Sequence, residues 1–258
     1  MTIKEYEGPV YIAVAENFLE YGQCRDSIEA ITRRDGDTRP QFNRATKGYE
    51  SRQEHLNNWY HKTDYPFILF LDGDMLFEPD TLERLRAHKL PYVSGFYMRR
   101  QVSPALPVWY ERHTPGVFPL RPLTWLLEED KVYPIGASGW GCVLMHRDVV
   151  TAVREVLKGE PEILEDDMDV WPYDLDAVLS GKEQIRPLRK IKHDIVGSDI
   201  RFPFFANVAG FGLMGDTGVK PKHLTTYGVG LADWLNQPAW VSRDIAKRIG
   251  QEYRQETP

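Results

Sequence analysis

Two carboxylates separated by one glycine close an apolar stretch of the chain, Phe67-Ile68-Leu69-Phe70-Leu71-Asp72-Gly73-Asp74. Alternate residues of an extended chain share a face, so Asp72 and Asp74 present their side chains near one point. Paired oxygen ligands of this kind suit a divalent cation that keeps coordination positions open for the oxygens of a diphosphate. Gly73 is read as room for a ligand to approach the backbone closely. A second turn, Gly136-Ala137-Ser138-Gly139-Trp140-Gly141, sets an aromatic ring between glycines. Gly139, Trp140 and Gly141 are read as a wall of a sugar or acceptor site. A third candidate is Ser198-Asp199, which follows Gly197 at the start of a helix and adds another carboxylate.

These residues need elements to position them. The run before Asp72 reads as a buried central strand, and carboxyl ends of such strands are where open α/β sheets bind ligands. An earlier strand is expected over 9–15, a helix over 18–32 and a polar loop over 33–46. A helix follows over 49–59 and carries Arg52. Another is expected over 79–88, with Pro79 at its first position, and a strand over 91–97. Strands alternating with helices predict an α/β fold with a mostly parallel sheet. The stretch 101–125 is rich in proline and aromatic residues and reads as irregular chain over one end of the sheet. Strands are expected again at 131–135, 142–145 and 211–216, with helices at 147–157 and 202–209. Residues 231–258 read as a helical tail packed on or near a main domain of 1–230.

The composition excludes several classes. At 258 residues and 42% hydrophobic content the chain can bury a substantial core. The net charge of −6 argues against non-specific coating of nucleic acid. Two cysteines, Cys24 and Cys142, are too few for a disulfide framework or a zinc cluster. No apolar run is long enough to span a bilayer, and residues 1–8 do not resemble a secretory leader. A soluble, cytoplasmic protein without integral membrane contact is the expectation.

The order of the features resembles that of glycosyltransferases of the GT-A fold, in the broad family-2-like group. The order is Arg52 on a helix, Asp72-Gly73-Asp74 ending the next strand, the Gly136–Gly141 turn before another strand, then Ser198-Asp199 opening a helix and His223 beyond it. The resemblance spans roughly 11–223. It implies a GT-A, Rossmann-like architecture and a nucleotide-sugar donor, with a UDP-sugar favoured. It implies that Arg52 helps hold the donor diphosphate. Asp74 would bind a metal directly, Asp72 would contact the ribose or a metal-bound water, and His223 would be a further metal ligand. Ser198-Asp199 stands where the family often has Glu-Asp, under the acceptor. The strand that family members usually have between the first helix and the arginine helix is not evident in 33–46.

Chemistry makes those roles coherent. A departing nucleoside diphosphate gains negative charge, which a bound cation and a cationic side chain stabilise. Asp199 on the opposite side of the sugar would take the acceptor proton as general base, with inversion at the anomeric carbon. Carboxylates and diphosphate suit Mn2+ or Mg2+, and a histidine ligand tilts the choice toward manganese. Arg186, Arg189, Lys190 and Lys192 lie shortly before Asp199. The acidic-then-basic stretch 159–193 that holds them reads either as a solvated loop or as an acceptor lid, and the lid would favour an anionic acceptor, nucleic acid or an acidic glycan, the acceptor itself being left open. Two other readings are a sugar nucleotidyltransferase and a GT-A-like binding protein without activity. The first is disfavoured because Ala15-Glu16-Asn17-Phe18 lacks the glycine and lysine of a phosphate loop.

Overall fold

The computed structural model describes residues 4–16, 22–45, 48–99, 106–112, 120–122, 127–157, 198–224 and 228–229. Its centre is a seven-stranded sheet. β1 (Val10–Glu16), β2 (Gln41–Arg44), β3 (Phe67–Asp72), β4 (Met75–Leu76), β5 (Tyr92–Gly95), β6 (Trp109–Arg112), β7 (Leu120–Pro122), β8 (Val132–Ile135), β9 (Ala137–Ser138), β10 (Cys142–His146), β11 (Leu213–Asp216), β12 (Lys222–Leu224) and β13 (Gly228–Val229) follow in chain order. The large sheet runs β2-β1-β3-β10-β5-β11-β8. β1, β2, β3, β5 and β11 point one way; β10 and β8 oppose them. The helices are α1 (Gly22–Glu29), α2 (Gly48–Lys62), α3 (Thr81–Ala87), α4 (Arg147–Leu157) and α5 (Ser198–Val208). The fold is therefore mixed α/β, Rossmann-like, with a mostly parallel sheet flanked by helices.

β3 is a strand because it is buried between neighbours. It pairs with β1 on one side and β10 on the other, and Phe67, Ile68, Leu69, Phe70 and Leu71 are all buried. Strands covered on both faces read as continuous apolar runs rather than alternating ones. α2 turns Ser51, His55, Leu56 and Trp59 inward, the spacing of one helical face. Its carboxyl end is fixed from outside: the Arg147 guanidinium donates to the carbonyls of Trp59 (3.0 Å), Tyr60 (2.5 Å), Thr63 (2.7 Å) and Tyr65 (3.1 Å). Helix ends leave such carbonyls unmet, and a basic group is the matching partner. This contact sets where α2, and so Arg52, lies against the sheet.

Three expectations require correction. The polar stretch 33–46 is not all loop, because Gln41–Arg44 forms β2, parallel to β1. It is a half-exposed edge strand without an apolar run, so neither hydrophobic pattern marks it. The stretch 101–125 also contains strands: β6 pairs with β7 and β9 in a small second sheet. Trp109 of β6 is buried and lies against β11 at Gly215, where a Cβ would collide with its indole. Finally, α3 begins at Thr81 rather than Pro79, with Asp80 at the N-cap position. The remaining expected strands and helices stand where predicted, within a few residues at their ends. The helical tail at 231–258, the domain boundary at 230 and the charged stretch 159–193 lie outside the described residues.

Candidate metal and diphosphate site

The site grows from the tight turn that follows β3. The Asp72 N–H donates to the Gly141 carbonyl (3.0 Å) and the Gly73 N–H to the Ala15 carbonyl (2.8 Å). These bonds clamp the turn between the end of β1 and the start of β10. Gly73 has a different purpose from the one its sequence context implies. A Cβ there would stand 3.0 Å from Glu16 Cγ and 3.2 Å from the Ala15 carbonyl oxygen. Its bareness lets the turn close on β1, and it does not open space for a ligand.

Asp74 leads into β4, and β4 pairs antiparallel with β12, setting His223 opposite Met75. The Leu224 N–H donates to the Asp74 carbonyl (2.9 Å). That pairing brings a residue from late in the chain beside the Asp72-Gly73-Asp74 turn. His223 is buried, and its Nδ1 lies 2.6 Å from the Met98 carbonyl oxygen. A carbonyl only accepts, so Nδ1 carries a proton; in the neutral ring Nε2 then keeps the lone pair, the tautomer suited to ligation through that nitrogen. Asp72, Asp74 and His223 each offer one ligand atom, all within 4.8 Å of one another. Ligands on one ion at about 2.0–2.6 Å can lie up to roughly 5 Å apart, so the three residues fit a single hard or borderline cation. Three protein ligands leave coordination positions for a substrate.

Arg52 joins the same place. Its Nη2 donates to Asp72 Oδ1 (2.6 Å), and both side chains are about 15% exposed or less (14% and 15%). The guanidinium balances one carboxylate and fixes which oxygen it uses. Gly141 stands on the other oxygen: a Cβ would be 2.8 Å from Asp72 Oδ2 and 2.8 Å from Met75 Sδ. Gly141 thus shapes the site by its missing side chain. Gly139 ties the turn to the segment before β6, its N–H donating to the Val108 carbonyl (3.0 Å).

Trp140 is not an exposed wall. It is 0% exposed, stacked on Phe70 (centroids 4.5 Å apart) and edge-on to Phe202 of α5 (4.9 Å). Its ring joins the large sheet to α5, a core role that removes it from contact with a sugar. Ser198 and Asp199 form the first turn of α5. Their side chains lie outside the described residues.

Sequence reading missed a neighbouring group. Glu16 ends β1, is buried, and lies within 3.8 Å of Arg25 and 3.7 Å of Arg44. The β1 register sets Ala15 beside Asp72 and Glu16 beside Arg44. Three guanidinium groups and three carboxylates therefore line the carboxyl ends of β2, β1 and β3. A charged residue directly after an apolar strand was the available signal, the same one that drew attention to Asp72.

No family model matches the sequence. No curated protein is similar to it at a significant level. Among solved structures, A197 from STIV is similar in fold with a TM-score of 0.46 and 11% identity, over 85% of this chain and 86% of that one. Function is therefore read from the residues of the site.

Proposed function

We propose that this chain is a divalent-cation-dependent glycosyltransferase of GT-A type, acting on a nucleotide-sugar donor. The observation that carries this reading is the convergence of Asp72, Asp74 and His223 within 4.8 Å at the end of β3, with Arg52 donating to Asp72. Like-charged carboxylates brought together inside a protein repel unless a cation or a proton intervenes. A hard cation held by oxygen ligands in turn binds phosphate oxygens. When bound, Mn2+ or Mg2+ would supply Lewis-acid stabilisation of the departing diphosphate.

The residues divide the work. Asp74 and His223 hold the ion, and Asp72 holds it or a water bound to it while staying oriented by Arg52. Arg52 also supports the diphosphate, because its guanidinium lies beside the same carboxylate. Asp199, at the start of α5, is the proposed base that takes the acceptor proton, with inversion. The proposed donor is a UDP-sugar, and the proposed acceptor is anionic, met by the basic stretch 186–192.

The test is calorimetric titration of UDP and GDP into the protein with and without Mn2+, followed by an assay for slow hydrolysis of UDP-sugars. Binding that requires Mn2+, together with turnover, is the expected result. Diphosphate binding of equal strength without a cation would overturn the metal reading. Metal-dependent binding with no turnover on any nucleotide sugar would replace the enzyme by a binding protein.

A further inference from the structure

Tyr97 lies just beyond the carboxyl end of β5 and is 2% exposed. Its hydroxyl oxygen accepts the Gly141 N–H at 2.8 Å. Gly141 in turn accepts the Asp72 N–H through its own carbonyl. A Cβ at Gly141 would meet Asp72 Oδ2 at 2.8 Å and Tyr97 Cζ at 3.0 Å. The phenol, the bare Cα of Gly141 and the Asp72 carboxylate are thus in direct succession. On its other side Tyr97 meets His223, the two rings edge to face with centroids 5.5 Å apart at 66°. The next carbonyl along, that of Met98, receives the His223 Nδ1–H at 2.6 Å. Two adjacent residues therefore touch both arms of the site without belonging to it.

Geometry around a metal is set by what the ligands lean on, and loss of such support weakens binding even when every ligand remains. A tyrosine hydroxyl that accepts from a backbone N–H keeps its own proton for donation. The hydroxyl is also the group that holds the Gly141 backbone, and through it the Asp72 backbone, in register with β10. The ring limits the tilt of the imidazole, and the Met98 carbonyl selects its tautomer.

We infer that Tyr97 is a positioning residue for the Asp72–Asp74–His223 site, fixing Asp72 through Gly141 and the plane of His223 through its ring, so that cation affinity depends on a phenol that does not itself ligate. The inference rests on the cation reading given above and is tested on the full chain with the metal alone. Tyr97→Phe keeps the ring and removes the hydroxyl. Mn2+ binding is followed by electron paramagnetic resonance, and the thermal unfolding of metal-free protein by circular dichroism. The expected result is a Mn2+ Kd raised about 10–100-fold, an altered spectrum of the bound ion and a metal-free unfolding curve close to wild type. Tyr97→Leu, which also removes the ring edge from His223, is expected to bind more weakly still. Wild-type affinity and an unchanged bound-ion spectrum in Tyr97→Phe would overturn the inference while leaving the cation site standing. Wild-type protein that binds no Mn2+ would overturn both. Should Tyr97→Phe not fold, Tyr97→Leu is measured in its place, and unchanged Mn2+ affinity with an unchanged bound-ion spectrum there also overturns the inference.

Discussion

At the amino end of β1, Asp37 is saturated by the protein itself. Its side chain is 1% exposed, and it accepts the N–H groups of Val10 (2.9 Å) and Arg34 (2.8 Å). Arg86 donates to both its oxygens (2.8 and 2.6 Å) and also to Glu83 (2.9 Å). At the carboxyl ends of β1 and β3 the arrangement is reversed in sense. There, two carboxylates and an imidazole converge within 4.8 Å, and Arg52 donates to one of the carboxylates, Asp72. The first cluster satisfies opposite charges against each other and locks the 34–37 turn to α3. The second gathers like charges at the place where such sheets bind ligands. Burial of charge is common to both, so burial does not distinguish a scaffold from a site; the convergence of Asp72, Asp74 and His223 on one point does.

That contrast can be broken by mutation. Asp37→Ala leaves a nearly buried guanidinium, Arg86 at 7% exposure, with Glu83 alone. Removing one partner of a buried pair typically costs about 3–5 kcal/mol. The expected outcome is a large drop in the urea midpoint, with Mn2+ affinity of the folded protein unchanged. Asp74→Asn should behave in the opposite manner. It relieves repulsion in the metal-free protein, so the urea midpoint should hold or rise. Under the proposed activity, donor hydrolysis should fall about 10²–10³-fold, the scale for losing one preorganised stabiliser of developing charge. Loss of stability in Asp74→Asn comparable to that in Asp37→Ala would erase the distinction between the two ends.

A smaller effect sharpens it. Burial holds His55 below its ordinary pKa despite the Val14 carbonyl, and it does the same to His146 despite Asp148. For such groups the unfolded chain takes up protons first as pH falls. Stability is therefore full above about 6.5, declines below it, and levels off once the folded histidines also protonate. Asp216 is lowered as well: burial opposes the shift, but His88 and the Gly218 N–H outweigh it and hold the carboxyl below its ordinary pKa. Its contribution is lost only in more acidic solution, below the ordinary carboxylate range. Urea midpoints at pH 7.5 and 5.5 should differ modestly, and His55→Gln should flatten the difference. A midpoint that rises on acidification to pH 5.5 would contradict this reading.

Much of the site was legible because the strongest local signal coincided with the chemistry. An uninterrupted apolar run has few structural outcomes, and the carboxylates at its end inherit the position of its tip. The Arg52 helix was legible for the same reason, through the helical spacing of 49–59. The failures share a cause as well. β2, β6 and β7 are short and owe their existence to partners: the β1 edge for β2, and β9 and the Trp109 contact at Gly215 for the small sheet. No window of sequence contains that information. Trp140 between glycines reads as a wall of a sugar or acceptor site, yet the ring it stacks on, Phe70, lies seventy positions away in the sequence. Gly73 and Gly141 were singled out as ligand-approach and wall positions, but the contacts that forbid a side chain there are with Glu16, Asp72, Met75 and Tyr97. Which atoms a missing side chain accommodates is a property of the assembled sheet. Glu16 went unread because a carboxylate that terminates a strand and one that enters a turn look alike until the neighbouring strand ends are placed beside it.

The pairing of β12 with β4 carries a consequence for the order in which the molecule comes into being. Every strand of the large sheet has been synthesised once Asp216 is made. His223 comes with the next short hairpin and is seated by bonds to Asp74 and Met98, which were made far earlier. The cluster of Asp72, Asp74 and His223 is thus completed after the strands of the large sheet, in a single late step.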